Sequence, residues 1–130
     1  MIMRTIFFSF VFVWFSLVGL SQNAALKAEL IKERNQYYKI LPNGNVEFSF
    51  YLQGIQSKTQ ADNLEKYIRG YRGVEEFNLT FDATKNEYKA IGTFYSSANW
   101  SYFKYMFKIM KVEQVLKDNQ WNSLDQINNL

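Results

Sequence analysis

At positions 46–53 the chain reads VEFSFYLQ, an unbroken alternation of apolar and polar side chains. This alternation is typical of a strand that buries one face and exposes the other. Gly54 follows directly and marks the end of the strand. We expect two opposed sets of side chains, with Val46, Phe48, Phe50 and Leu52 toward the core and Glu47, Ser49, Tyr51 and Gln53 on the other side.

Downstream of this strand, the pattern changes to helical spacing. Thr59 and Asp62 resemble a capping box, and the stripe that follows predicts a helix to about Tyr71, with Gly73 ending it. Residues 74–82 and 88–95 alternate again and predict a hairpin around the polar turn at 83–86. Caps at 96–99 precede a second helix, and residues 111–118 predict a last strand. The expected apolar positions of these elements are Ala61, Leu64, Ile68, Tyr71, Phe77, Leu79, Phe81, Ala90, Gly92, Phe94, Phe103, Met106, Phe107 and Met110.

The order of elements over residues 46–118 is therefore strand, helix, strand, strand, helix, strand. Two βαβ units joined by a hairpin are typical of the ferredoxin-like sandwich. We expect an α+β domain of this fold, with an antiparallel sheet that carries both helices on one face.

The N-terminus has the anatomy of a signal peptide. Arg4 precedes a run of 16 residues, 5–20, that carries no charge, and Gly19 and Ser21 are small residues suited to cleavage before Gln22. The alternative is an uncleaved anchor, but the run is shorter than the roughly 20 residues that span a bilayer. We expect residues 1–21 to be a signal peptide, with no stable membrane span after cleavage and a periplasmic or secreted product.

Two segments flank the predicted domain. Residues 22–45 form an N-terminal lead whose pattern fits either a helix or an extended piece, ending at a turn over 42–45. Residues 119–130 form a C-terminal tail that contains Trp121, Leu124 and Ile127, with Ser123 as the cap for a terminal turn of helix.

Composition excludes several kinds of chemistry. The chain has no Cys and no His, so thiol nucleophiles, imidazole bases and thiolate metal sites are absent. Of 15 Lys and Arg, one lies in the predicted signal peptide, which leaves 14 against 12 Asp and Glu, a net charge of +2. That excess is small for a nucleic-acid-binding protein.

The stretch from Gly54 to Gln60 resembles the metal loop of a heavy-metal-associated domain, a family of ferredoxin-like fold. Gly54-Ile55 matches its Gly-Met, Leu64 and Ile68 match its helix core, and Gly73-Val74 matches its Gly-Val. The resemblance covers about residues 46–118. It lacks the family's Cys-x-x-Cys motif, because Ser57 and Gln60 stand at the two cysteine positions, so it implies the fold without the soft-metal site.

Other candidate ligands have ordinary interpretations. Met106 and Met110 lie four residues apart on the second predicted helix, and core packing is the more common role of such a pair. Acidic residues at 75–76, 82 and 87 do not have the spacing of a calcium loop. We therefore expect no metal, no cofactor and no catalytic residue.

The outward face of the sheet is the predicted binding site. Tyr51, Thr80, Ile91 and Tyr95 are expected there among small polar residues, a mixture suited to a protein or carbohydrate surface. The alternative is that the lead or the tail folds over this face.

These observations favour an exported, non-catalytic interaction module that resembles a heavy-metal-associated domain without its metal ligands. Its partner would be a protein of the cell envelope or a second copy, and not a nucleic acid. The alternatives are a periplasmic protein that binds a small ligand or a metal through other ligands, and a small hydrolase.

Overall fold

The computed structural model describes residues 25–130, which hold seven strands and two helices. The predicted signal peptide lies outside the described residues. The strands are β1 Leu26–Leu30, β2 Tyr38–Ile40, β3 Val46–Gln53, β4 Val74–Asp82, β5 Glu87–Phe94, β6 Val112–Lys117 and β7 Gln120–Ser123. The helices are α1 Lys58–Arg69 and α2 Trp100–Ile109.

All seven strands form one sheet in the order β4-β5-β3-β1-β6-β7, with β2 paired to the same edge of β3 as β1. Every pairing is antiparallel except that of β1 with β6. The predicted α+β class and mostly antiparallel sheet are therefore confirmed. The predicted strand at 46–53 has the same bounds in the structure.

The sheet departs from the ferredoxin-like arrangement, and that part of the prediction is wrong. In a ferredoxin-like sheet β3 and β6 would be neighbours, but β1 lies between them and pairs with both. The prediction that the lead is helical is also wrong. Leu26, Ala28 and Leu30 alternate with less buried residues, so the segment buries one face as a strand.

The rest of the lead forms an interrupted continuation of β1. Residues 31–37 leave the sheet in a small turn, in which Arg34 and Asn35 have φ of 52° and 65° and Glu33 pairs with Gln36. The chain then returns as β2, and the predicted turn brings it into β3, where the amide of Gly44 donates to the carbonyl of Leu41. The predicted extended piece before that turn is confirmed by β2.

The tail also joins the sheet. Asp118 and Asn119 have φ of 53° and 64°, the left-handed pair that a two-residue hairpin turn requires, and β7 returns along β6. A short 3₁₀ turn at Leu124–Gln126 follows, and Ser123 occupies its N-cap position as predicted, although its side chain makes no capping bond. The Trp100 indole donates to the Ile127 carbonyl at 2.9 Å and fixes the end of the tail.

The core lies between one face of the sheet and the two helices. Phe48 stacks on Phe103 with ring centroids 4.3 Å apart, and Phe50 meets Phe107 edge-on at 4.9 Å. Ile68 of α1 belongs to the same buried cluster. Met106 and Met110 are buried in it as predicted. Two predicted core positions are exceptions: Phe81, near the end of β4, is 49% exposed, and Tyr71 is half-buried outside the cluster.

Candidate functional site

The face of the sheet opposite the helices carries three of the four predicted site residues. Tyr51 and Thr80 both pair with Lys89 of β5, one from each side. Ile91 pairs with Ser49 and with Asn78 in the next row of the same face. We call this surface the open face.

The Tyr51 side chain is held in place by its neighbours. Its hydroxyl donates to Asp82 at 3.2 Å, and the Lys85 ammonium lies 4.2 Å from the centre of its ring. Lys85 in turn donates to Glu29 at 3.0 Å. Burial and the bond to Asp82 raise the pKa of Tyr51 above its ordinary value, and the Glu29 carboxylate raises the pKa of Lys85. This network holds an aromatic ring in one orientation on the open face.

Trp121, which is not among the four predicted site residues, is a further member of the open face. It pairs with Leu116, which pairs with Glu29, which pairs with Tyr51. Its ring is 39% exposed, and the Lys27 ammonium lies 5.6 Å from the ring centre. The Asp118-Asn119 pair was the signal for the hairpin that brings Trp121 onto this face.

Tyr95 is not part of the same cluster. It lies one residue beyond the end of β5, and six residues separate it from Lys89, the partner of Tyr51. At about 3.4 Å per residue, this is a separation of roughly 20 Å along the strand. Its phenol interacts electrostatically with that of Tyr102 on α2 instead. The predicted grouping of Tyr51 with Tyr95 is therefore wrong.

Most of the lead and the tail do not fold over the open face as the alternative proposed, because they pair in the plane of the sheet as β1, β2 and β7. The turn at 31–37 borders this face, since it lines cavities with Glu47 and Ser49 on one side and with Glu29 and Leu116 on the other. Ile91 and Trp121 remain 38% and 39% exposed there. The open face is a broad surface with apolar and aromatic groups among polar ones.

Ser57 and Gln60, at the two cysteine positions of the resembled family, serve as a helix cap. The Ser57 hydroxyl accepts from the Gln60 amide at 3.1 Å, and the Gln60 side-chain oxygen accepts from the Gln56 amide at 2.8 Å. The cap begins α1 at Lys58, so the predicted capping role of Thr59 is wrong. Both side chains serve the backbone of the loop and the first turn.

The outer edge of β4 is capped by side chains from α1. The Glu65 carboxylate accepts from the Leu79 amide at 2.8 Å, and the Arg69 guanidinium donates to the Phe77 carbonyl at 2.9 Å. The two side chains form an ion pair of 3.1 Å with each other. Because a further strand would use these same backbone groups, this part of the edge is closed to strand addition.

A second candidate site surrounds the turn at 31–37. Three adjoining cavities of about 350, 460 and 470 Å³ share Tyr37 in their linings. The Tyr37 hydroxyl donates to Asp118, which also accepts from Lys32 at 3.3 Å. Burial and the bond to Asp118 raise the pKa of Tyr37 to about 12, and the same bond lowers the pKa of Asp118.

The acidic residues do not gather into a metal site in the described part of the chain. Across residues 25–130, no group of three or more Asp or Glu side chains is placed to hold an ion. Asp82 accepts from the amides of Thr84 and Lys85 and so fixes the β4–β5 turn. Neither helix in these residues is long and apolar enough to cross a membrane.

Comparison of the chain with known protein families, with curated proteins and with solved structures finds no match in any of the three. The geometry of its own residues is therefore what bears on its function.

Proposed function

We propose that the chain is a non-catalytic interaction module that docks a partner protein on its open face. The observation that supports this is the exposure of Ile91 and Trp121, with the fixed ring of Tyr51, on the sheet face opposite the two helices of residues 25–130. Aromatic groups of this kind contribute most of the binding energy at protein interfaces.

The dimensions of the open face favour a protein over a small ligand. Six strands side by side at about 4.8 Å spacing give a width of roughly 24 Å, and eight residues give a length of about 27 Å. The product, roughly 600 Å², approaches the area of about 800 Å² that each partner buries in a standard interface. Small ligands bind in concave pockets, and this surface is a sheet face.

A partner that docks on the face is favoured over one that adds a strand at β4. Glu65 and Arg69 already bond the backbone of residues 77–79, so a new strand would have to displace an ion pair there. The open face has no such obstacle.

The proposal has two further parts, which are that the chain is exported and that it is distantly related to the family it resembles. The apolar run behind Arg4 supports a periplasmic or secreted product. The order of strands and helices from β3 to β6 is the one that heavy-metal-associated domains have, but the insertion of β1 between β3 and β6 departs from their sheet. Because Ser57 and Gln60 cap α1 in place of binding metal, the module would act without a cofactor.

The test is site-specific photo-crosslinking of the full chain in the cells that make it. A photoreactive residue at Ile91 should capture one dominant protein, whereas the same residue at Asn43, exposed in the turn before β3, should not. Capture must also disappear when Trp121→Ala is added. Equal capture from both positions, or none from Ile91, would refute docking on the open face.

The cavities around Tyr37 support a second candidate, a protein that binds a small ligand. Each has a volume within the range of known ligand sites. A metabolite that raises the melting temperature of the wild type but not of Tyr37→Ala would favour this function. Identical shifts in both proteins would exclude these cavities as the site.

A further inference from the structure

The two helices and the residues that follow them carry an excess of positive charge that the small net charge of the chain does not reveal. Residues 58–73 and 100–111, which include both helices, contain seven Lys or Arg and two acidic residues, Asp62 and Glu65. The rest of residues 25–130 holds seven basic and ten acidic residues. The helix side of the molecule therefore has a charge of +5 against −3 elsewhere in the described chain, which is a separation of charge.

Three tyrosines lie together on this positive side. Tyr67 and Tyr105, on different helices, are 55% and 57% exposed. The hydroxyls of Tyr67 and Tyr71 are 2.8 Å apart, and their rings meet edge-on with centres 5.3 Å apart. The bond to Tyr67 and, more weakly, the charge of the Tyr105 phenol on α2 raise the pKa of Tyr71, so the group draws on both helices. We call Tyr67, Tyr71 and Tyr105 the tyrosine patch.

The cations beside the tyrosine patch are not neutralised by the protein itself. Lys66 and Arg72 form no ion pair with any described residue, and the Lys104 ammonium donates to the backbone carbonyls of Asp125 and Ile127. The acidic side chains of α1 pair elsewhere, Asp62 with Lys58 and Glu65 with Arg69. The positive potential at the patch is therefore available to attract an anionic partner.

We propose that the tyrosine patch and its cations form a second docking surface, which binds an acidic segment of a polypeptide. Carboxylates accept hydrogen bonds from phenol, ammonium and guanidinium groups alike, and tyrosine and arginine are enriched at protein interfaces. The site lies on the side of the sheet opposite the open face, so a partner there would not compete with one on the open face.

Two other anionic partners fit the patch less well. An anionic membrane would be expected to take apolar side chains into its interface, but the exposed large side chains of α1 and α2 are tyrosines only. Single-stranded nucleic acid binds by stacking on open aromatic faces, and the edge-on packing of Tyr67 against Tyr71 obstructs such stacking.

The first test measures binding of fluorescent poly-L-glutamate to the full chain in a salt series. We expect binding that weakens as salt rises, because exposed ion contacts are screened. Arg72→Glu should weaken it about fivefold, whereas Arg34→Glu, the same change on the exposed turn between β1 and β2, should leave it within about twofold. Absence of binding, or equal loss in the two variants, would overturn the proposal.

The second test separates acidic polypeptide from the other anions and from the open face. Tyr67→Ala with Tyr105→Ala should weaken poly-L-glutamate binding several-fold, and Trp121→Ala should not. Phosphatidylglycerol vesicles or a single-stranded oligonucleotide that bind more tightly than poly-L-glutamate, with the same dependence on Arg72, would overturn the choice of partner. Loss on Trp121→Ala would place the binding on the open face instead.

Discussion

Replacing Glu65 by Ala should both destabilise the fold and open an edge of the sheet. The Glu65 carboxylate bonds the Leu79 amide at 2.8 Å and is 20% exposed. A hydrogen bond to a charged group contributes about 1.5–3 kcal/mol, and this partly exposed one belongs at the lower end. We expect a loss of about 1.5 kcal/mol in the free energy of unfolding, which lowers the melting temperature by roughly 7 °C.

The freed Leu79 amide should also make β4 able to pair with a second copy, because an uncovered edge strand is a template for pairing. Denaturant titration measures the first effect, and light scattering after size exclusion measures the second. Glu65→Gln keeps an acceptor and should recover most of the stability. Asp62→Ala is the matched control, since its pair with Lys58 is 59–82% exposed and contributes less than about 0.5 kcal/mol. Equal effects of Glu65→Ala and Asp62→Ala would refute the reasoning.

Three further predictions concern the core, the helix cap and the Tyr37 bond. A Cβ at Gly92 would lie 2.4 Å from the ring of Phe94, which is itself fully buried, so Gly92→Ala should lower the free energy of unfolding by about 1–3 kcal/mol. Adding Phe94→Leu should restore part of that free energy in denaturant titrations. No restoration would contradict the clash. Ser57→Ala should cost about 1 kcal/mol and Thr59→Ala much less, because Ser57 caps α1; a larger thermal shift from Thr59→Ala would mean that the cap is misplaced. Tyr37 has its pKa raised from 10.0 to about 12, so the neutral phenol is favoured in the folded state, and the stability that it contributes is complete below pH 10 and lost as the pH rises toward 12. The difference in unfolding free energy between wild type and Tyr37→Phe should therefore shrink over that range, and a constant difference would exclude the Asp118 bond as its source.

Regular patterns made the central part of the fold predictable. The alternation over 46–53 and the helical stripe through Leu64 and Ile68 reflect burial of one face only, and the structure places β3 and α1 on these residues. The lead was ambiguous because Leu26 and Leu30 are four residues apart. That separation puts two side chains on one face of a helix, and, being an even number of residues, also on one face of a strand. Only the pairing of β1 with two neighbours, a long-range contact, decides between them.

The site was predictable in part for related reasons. The parity of side chains along a strand placed Tyr51, Thr80 and Ile91 on the same face. The alternation of side chains says nothing about distance along the strand, so Tyr95 was grouped with Tyr51, whose partner Lys89 lies roughly 20 Å away. The separation of charge could not be predicted from the sequence, because the basic stretches at 66–73 and 100–111 come to one side of the sheet only when both helices pack there.

The most direct test of the open face as a docking surface compares three single variants against the protein captured by crosslinking. Ile91→Ala and Trp121→Ala remove exposed side chains from the face, whereas Tyr95→Ala removes a still more exposed one beyond the end of β5. We expect the dissociation constant to rise at least tenfold in the first two variants and to stay within about twofold in the third. Equal effects in all three, or a loss confined to Tyr95→Ala, would contradict it.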